Sequence, residues 1–382
     1  MSVLVVNAGG VSLELTVVDE DHVVEDRYVE AWDGHDAEPI ADLANRHRHE
    51  LTAIGHRVVH GGHRFSDPVV VDDDVLEALL ELEPLAPLHQ RRAVEAMRVA
   101  GEVVEDRPHV ACFDTEFHRH LPPAATTYPL PRTWRARWPI RRYGFHGSSH
   151  AHVARRAPRL AGTGPGARIV SCHLGSGASL CAIVDGRSVD TTMGFTPSEG
   201  LVMNTRSGSV DPGLILWLAS HAGVGIEEID RTLREESGLR GLAGGTGDMR
   251  DVLERAHAGD EDACVAIDVY IHHLRKHIGA MAAVLGGIDV LAFTGGIGQH
   301  LPTIRGRAAA GLAHLGVVID PDRDLEAEDD RVISTPDSPA AVVVVAGGEH
   351  LVIAAATRAL TRGARADSPG GAPDSRRAAD ER

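Results

Sequence analysis

One strand, turn, strand plan occurs twice in this chain, and that duplication limits its folds more than any other feature. Residues 3–18 read V-L-V-V-N-A-G-G-V-S-L-E-L-T-V-V, an apolar run, a polar residue, a glycine turn and a second run closing at Asp19. Residues 169–185 read I-V-S-C-H-L-G-S-G-A-S-L-C-A-I-V-D, with His173 in the place of Asn7, Gly175 in that of Gly9 and Asp185 in that of Asp19. Each stretch is a hairpin signature, and two copies predict a duplicated architecture. The Ser-Leu pair is offset by one residue between them, Ser12-Leu13 against Ser179-Leu180. At 382 residues the chain exceeds an ordinary single core, so two domains are expected.

Charge narrows the partners. A net charge of −17 argues against nucleic acid or an anionic membrane, both of which select basic surfaces. No apolar run reaches the length of a membrane span, and Met1 leads directly into strand-like residues, so a cytoplasmic protein is expected. Lys276 is the one lysine, which rules out a Gly-Lys-Ser/Thr phosphate loop and leaves anion chemistry to Arg, backbone N–H groups or a metal. Cys112, Cys172, Cys181 and Cys264 form no C-x-x-C and read as free thiols in mostly apolar surroundings.

In chain order, Ile54 to His60 reads as a strand, Val75 to Leu88 and Arg92 to Val104 as helices, and Val110 to Phe113 as a buried strand delivering Asp114. Pro122 to Pro139 reads as a crossover. The segment R-R-Y-G-F-H-G-S-S-H then enters a helix expected to end by Arg156, ahead of Pro158. Pro212–Ser220 and 226–236 read as helical, 238–251 as a glycine-rich loop, and 252–285 as largely helical. Val290 to Thr294 is a strand, Val342 to Val345 the last one, and a final helix runs through Leu360 before a polar tail, 363–382, expected to be disordered.

Four glycine loops, around residues 9, 175, 244 and 295, are expected at strand ends, where backbone N–H groups grip phosphates. Arg57 and Arg206 sit beside glycines and are the available clamp for a moving phosphoryl group. Asn7, Asp114 and Glu349 are oxygen donors at strand ends, a set that suits Mg²⁺, although Asp114 and Glu349 read equally well as helix caps. The spacings His118/His120 and His146/His150/His152 also admit a zinc reading, but they lack cysteine partners.

Taken in order, H-R-V-V-H-G-G, A-P-L-H, F-D-T-x-F-H, Y-G-F-H-G-S-S-H, C-H-L-G-x-G, M-G-F-T-P-x-E-G-L, T-R-x-G-S-x-D-P and F-T-x-G-I-G resemble the acetate kinase family from residue 2 to about 360. The resemblance implies an α/β fold of two duplicated actin- and sugar-kinase-like (ribonuclease H-like) domains around a central cleft. Residues 1–118 with about 350–362 would form one domain and 119–349 the other, nucleotide-binding one. It implies reversible Mg²⁺-dependent (or Mn²⁺-dependent) phosphoryl transfer between ATP and acetate, with ADP and acetyl phosphate as products, in a homodimer. By motif, Arg57, Asp114, His146 and Arg206 would be catalytic, with His89 also in the cleft. Arg57, Val59, Leu88, Phe145 and Pro197 would hold the acid. The nucleotide would lie on Ser12, His173, Leu174, Gly175, Ser176, Gly177, Asp248, Met249, Arg250, Gly295, Gly296, Ile297, Gly298 and Gln299. Asn7 and Glu349 would hold the metal.

The chain departs from the family's usual residues at Gly10, Val11 and Glu14 in the first hairpin, at Ser176 in the second, at Gln299-His300, at His63 and after His89. Altered nucleotide binding is expected from these changes. Two other readings stay open: a propionate or butyrate kinase, because one methylene in an apolar pocket discriminates weakly, and a regulatory nucleotide-binding protein that has lost catalysis.

Overall fold

The computed structural model describes residues 1–366 apart from 11, 88 and 328, with side chains as far as residue 362. Among the described residues, twelve strands divide into two six-stranded sheets. The first holds β1 (Ser2–Ala8), β2 (Leu13–Asp19), β3 (His22–Val29), β4 (Leu51–Val58), β5 (Val69–Val70) and β6 (His109–Phe113). The second holds β7 (Ile169–Leu174), β8 (Ala178–Val184), β9 (Arg187–Thr191), β10 (Val290–Thr294), β11 (Arg331–Val332) and β12 (Ala341–Val344).

The duplication read from two hairpins extends across both sheets. Their orders are β3-β2-β1-β4-β6-β5 and β9-β8-β7-β10-β12-β11, which superimpose strand for strand. In each, an antiparallel three-strand meander is followed by two parallel strands and a short antiparallel edge strand. The turns themselves differ in length, and Ser12 precedes its strand whereas Ser179 lies within one. Ala8 pairs with Leu13 across a loop of residues 9–12, whereas Leu174 pairs with Ala178 across residues 175–177, so the first turn is one residue longer.

Two helices carry the sheets' facing sides. Gly147–Ala161 packs Val153 and Ala157 against Ile169, Cys181 and Val290 of the second sheet. Glu349–Ala366 packs Ile353 and Ala354 against Val3, Val5 and Val110 of the first. The two helices also touch each other, which joins the halves. No described helix is long and apolar enough to cross a membrane.

Three local expectations are corrected. The helix from Gly147 passes through Pro158 and stops at Gly162 in the left-handed conformation. Packing of Ala157, Leu160 and Ala161 outweighs the one backbone bond that a late proline removes. The segment 238–251 is not one loop: Gly238–Ala243 and Met249–His257 are helices, because Leu239, Ala243, Met249 and Val252 enter the main core. The loop around Gly244 therefore follows a helix, leaving three of the four glycine loops at strand ends. The last helix continues beyond Leu360 to Ala366, and the expectation for residues 367–382 lies outside the described residues. Cys112, Cys172 and Cys181 are buried free thiols, and Cys264 is an exposed one.

Candidate active site

The parallel strands of both sheets point their carboxyl ends at one cleft of about 1000 Å³. This is where α/β sheets place ligands, because loops there are free of the ladder and helix N-termini face inward. Asn7 from β1, Arg57 from β4, His173 from β7 and the loops after β10 and β12 all reach it.

Beneath the floor lies a buried ion pair. Arg57 Nε donates to Asp114 Oδ1 at 3.0 Å and Nη2 to Oδ2 at 2.6 Å, a two-pronged contact with a carboxylate whose side chain is 2% exposed. Burial pushes the Asp114 carboxyl up from its ordinary value against the pull of Arg57. Burial also opposes the Arg57 charge, yet Asp114 overrides it and holds the guanidinium firmly protonated. Arg57 Nη1 continues to Asn7 Oδ1 at 3.1 Å, and Asn7 Nδ2 donates to Glu14 Oε2 at 2.8 Å. Asp114 does not itself line the cleft; it fixes the Arg that does.

Arg206 is the opposite case. Its Nη1 donates to the Pro197 carbonyl at 2.7 Å, and among the described residues no carboxylate lies within ion-pair range of it. Burial, then Arg234 and Arg57, lower its pKa to about 10. A half-buried cation with no carboxylate partner is costly to hold unless an anion arrives. The geometry holds Arg206 against the second hairpin: a Cβ added to Gly177 would stand 2.5 Å from Arg206 Nη2 and 3.4 Å from His146 Nε2. Only a glycine there lets both groups reach the same place.

His146 caps the helix Gly147–Ala161 with φ 56°, a left-handed conformation that a residue with a Cβ seldom adopts. The next residue explains the tight turn. Gly147 N donates to the Asp114 carbonyl at 2.9 Å, and any Cβ on Gly147 would meet that oxygen at 2.1 Å. His146 stacks on His173 with ring centroids 4.1 Å apart. Burial drives both rings toward the neutral form, and mutual repulsion adds to it for His146. His89, pushed down to about 3 by burial and then by Arg206 and Arg57, lines the same cleft.

Of the residues expected at the site, Asn7, Ser12, Arg57, His146, His173, Gly175, Ser176, Gly177, Arg206, Gly295, Gly296, Gln299 and Glu349 line the cleft together. Leu174, Ile297 and Gly298 are buried directly behind it. Val59 and Phe145 share one apolar cluster with Ala86 and Tyr143, and neither they nor Pro197, whose carbonyl holds Arg206, line the cleft itself. Leu88 lies outside the described residues. Asp248, Met249 and Arg250 do not line the cavity: Asp248 caps its helix through Arg250 N, Met249 is core, and the Arg250 side chain is exposed.

Sequence reading left several residues without a role. Ser149 bonds His173 Nδ1 at 2.8 Å, Ser179 bonds both His146 and His150, and His118 bonds the Phe145 carbonyl at 3.0 Å. Ser149 and His150 stand in the quoted G-F-H-G-S-S-H stretch, and their i+3 and i+4 spacing from His146 on a helix was the available signal. His118 and His150 have both ring nitrogens engaged by serine hydroxyls or a carbonyl.

For a divalent cation, the cleft supplies hard oxygen donors. Burial opposes ionisation of Glu349, but Arg57, His173 and His350 together lower its pKa. Among the described residues no Arg is in ion-pair range of that carboxylate, and His173 Nδ1 stands 3.6 Å away. Asn7 Oδ1 keeps one lone pair beyond its bond from Arg57. Two such donors suit Mg²⁺, which retains waters and takes its remaining ligands from phosphate oxygens.

Comparison with known proteins gives concordant results. The Acetokinase family matches residues 37–355. Acetate kinase of Streptomyces avermitilis is 45% identical over 354 residues, covering 92% of this chain and 85% of that protein. Among solved structures, a propionate kinase from Francisella tularensis is 33% identical with a TM-score of 0.86, covering 94% of this chain and 99% of its own. Acetate kinase of Porphyromonas gingivalis is 31% identical with a TM-score of 0.84, at the same coverages.

Proposed function

The chain belongs to the acetokinase family, and from that premise we propose that it transfers the γ-phosphoryl group of ATP reversibly to acetate, giving acetyl phosphate and ADP. The observation that carries this reading is Arg206, a half-buried cation without a carboxylate partner among the described residues, set beside His146 in the cleft that Arg57 also lines. A carboxylate is already a nucleophile, so the site needs no general base. It needs alignment and charge neutralisation.

In this reading Arg57 and Arg206 hold the carboxylate and the transferring phosphoryl from opposite walls. Asp114 positions Arg57 through its two-pronged bond. Neutral His146 donates to an equatorial oxygen of the phosphoryl. The nucleotide phosphates lie along the glycine turns at 9–12, 175–177 and 295–296, where backbone N–H groups remain even though Gly10 and Ser176 replace the family's usual residues. Asn7 and Glu349 would hold Mg²⁺, which when bound supplies charge neutralisation at the phosphate oxygens. Retention of Arg57, His146, Arg206 and Glu349 in one cleft, with Asp114 bound to Arg57 behind it, disfavours a protein that has lost catalysis.

The acid's alkyl end is assigned to Val59, Phe145, Pro197 and Leu88. Similarity to a propionate kinase at a TM-score of 0.86 keeps propionate as a second reading. Initial rates of hydroxylamine-trapped acyl phosphate with acetate, propionate and butyrate decide between them. The highest kcat/KM with acetate supports the first reading, and a preference for propionate or butyrate replaces it.

The same proposal extends to the assembly. Leu214, Leu216, Trp217 and Ile226 are large exposed apolar residues around the helix Pro212–Ser220, and they supply a face for a homodimer. Domain limits at 1–118 with 350–362, and at 119–349, are supported by the last helix packing on the first sheet. A cytoplasmic location suits the ATP and acetate pools that the reaction would use.

A further inference from the structure

Behind His146 runs a line of buried polar groups. His146 Nδ1 lies 2.9 Å from Ser179 Oγ, the same oxygen lies 2.8 Å from His150 Nε2, and His150 Nδ1 lies 2.8 Å from Ser171 Oγ. Ser171, Ser179 and His150 are completely buried. Among the described residues no other hydrogen bond reaches either serine hydroxyl. A serine has one proton to give, and a neutral imidazole has one N–H and one bare nitrogen. Burial keeps both rings neutral.

Counting protons leaves one complete arrangement. Ser171 has a single available acceptor, His150 Nδ1. His150 then carries its proton on Nε2 and donates to Ser179, and Ser179 donates to His146 Nδ1. In the reverse sense, His146 Nδ1–H donates to Ser179, Ser179 to His150, and His150 to Ser171, whose own O–H ends in the core with no acceptor. If both imidazoles donate to Ser179, the Ser179 O–H is stranded instead. Buried donors without acceptors are the costly outcome.

We infer that Ser171, His150 and Ser179 form a one-way hydrogen-bond chain that fixes His146 as the tautomer protonated on Nε2, the nitrogen facing Gly177 and the cleft. The three are positioning residues. They keep His146 a donor toward an incoming anion and prevent it from presenting a lone pair there. The same device stands one residue earlier with its sense fixed by a carbonyl: His118 Nε2–H donates to Phe145 O, Ser188 donates to His118 Nδ1, and Cys181 donates to Ser188. Only the catalytic consequence rests on the proposed phosphotransfer; the tautomer does not.

Two-bond ¹H–¹⁵N correlation spectra of the full chain test this without substrate, with the His146 signals identified by their loss in His146→Gln. The expected wild-type spectrum has a protonated-type shift on His146 Nε2 and a bare-nitrogen shift on Nδ1. The opposite assignment overturns the inference. Ser171→Ala removes the start of the chain three hydrogen bonds away from His146. It is expected to shift the His146 signals toward a mixture of tautomers and lower kcat about fivefold, with KM for acetate within about twofold. His146 signals unchanged in Ser171→Ala contradict the chain. Full turnover in His146→Gln removes the catalytic role of the ring while leaving the tautomer result to stand or fall on the spectra.

Discussion

Arg57 and Arg206 are both glycine-flanked arginines in the sequence, but their surroundings make them behave differently when removed. Arg57 neutralises a buried carboxylate, so Arg57→Ala strands Asp114 and is expected to destabilise the protein by about 3–5 kcal/mol in addition to abolishing turnover. Arg206 has no carboxylate to strand. Arg206→Ala is expected to cost about 10²–10³ in kcat, as loss of one transition-state contact does, while its melting temperature stays level or rises. Denaturant melts beside initial rates check the contrast; a large stability loss in Arg206→Ala would show that its charge is compensated in the folded protein. Which residue types handle anions was legible in the sequence because lysine is nearly absent. That one arginine is paired and the other is not depends on β4 and β6 running parallel with Arg57 opposite Cys112, next to Asp114, and no local spacing encodes that register.

The two hairpins are the elements on which the proposed nucleotide binding rests, and their asymmetry has a specific content. The first turn is one residue longer, and Glu14 on its second strand holds Asn7 by a 2.8 Å bond. A carboxylate there faces the cleft where phosphates would lie. Glu14→Gln keeps the shape and removes the charge, and is expected to lower KM for Mg-ATP about three- to tenfold through reduced repulsion. An unchanged or raised KM in steady-state titrations with ATP would separate Glu14 from the nucleotide. The hairpins themselves were readable because alternating β-branched runs and Gly-x-Gly turns are local signals. The helices Gly238–Ala243 and Met249–His257 were not, because their glycines read as loop and only burial of Leu239, Ala243 and Met249 in a distant core makes them helical. Pro158 misled for the same reason.

At the scale of the molecule, folding buries an unusual number of neutral histidines around the cleft. Burial holds His60 and His118 down to about 4 and His89 to about 3, with His146 and His150 also lowered. The unfolded chain binds protons at these sites below about pH 6.5 while the folded one does not. Stability therefore rises with pH through this range and is lost as pH falls from about 6.5 toward 4, at about 1.4 kcal/mol per pH unit for each such histidine. Urea midpoints at pH 7 and pH 5 check the sign; equal midpoints would mean that these rings take up protons in the folded state. The duplicated sheet was legible from the repeated hairpin, and the cleft with most of its lining from the resemblance to the acetate kinase family. The hydrogen-bond chain behind His146 was not, since it joins a helix to β7 and β8 across the core.

In the proposed reaction a carboxylate and a phosphoryl group meet between Arg57 and Arg206. Its most direct measurement is acyl hydroxamate formation from acetate, ATP, Mg²⁺ and hydroxylamine, with wild-type protein and Arg206→Ala side by side at matched folded concentration. Rapid product is expected with wild type and a loss of about 10²–10³ in the variant. No product above background with folded wild-type protein, or equal rates from the two, would contradict it.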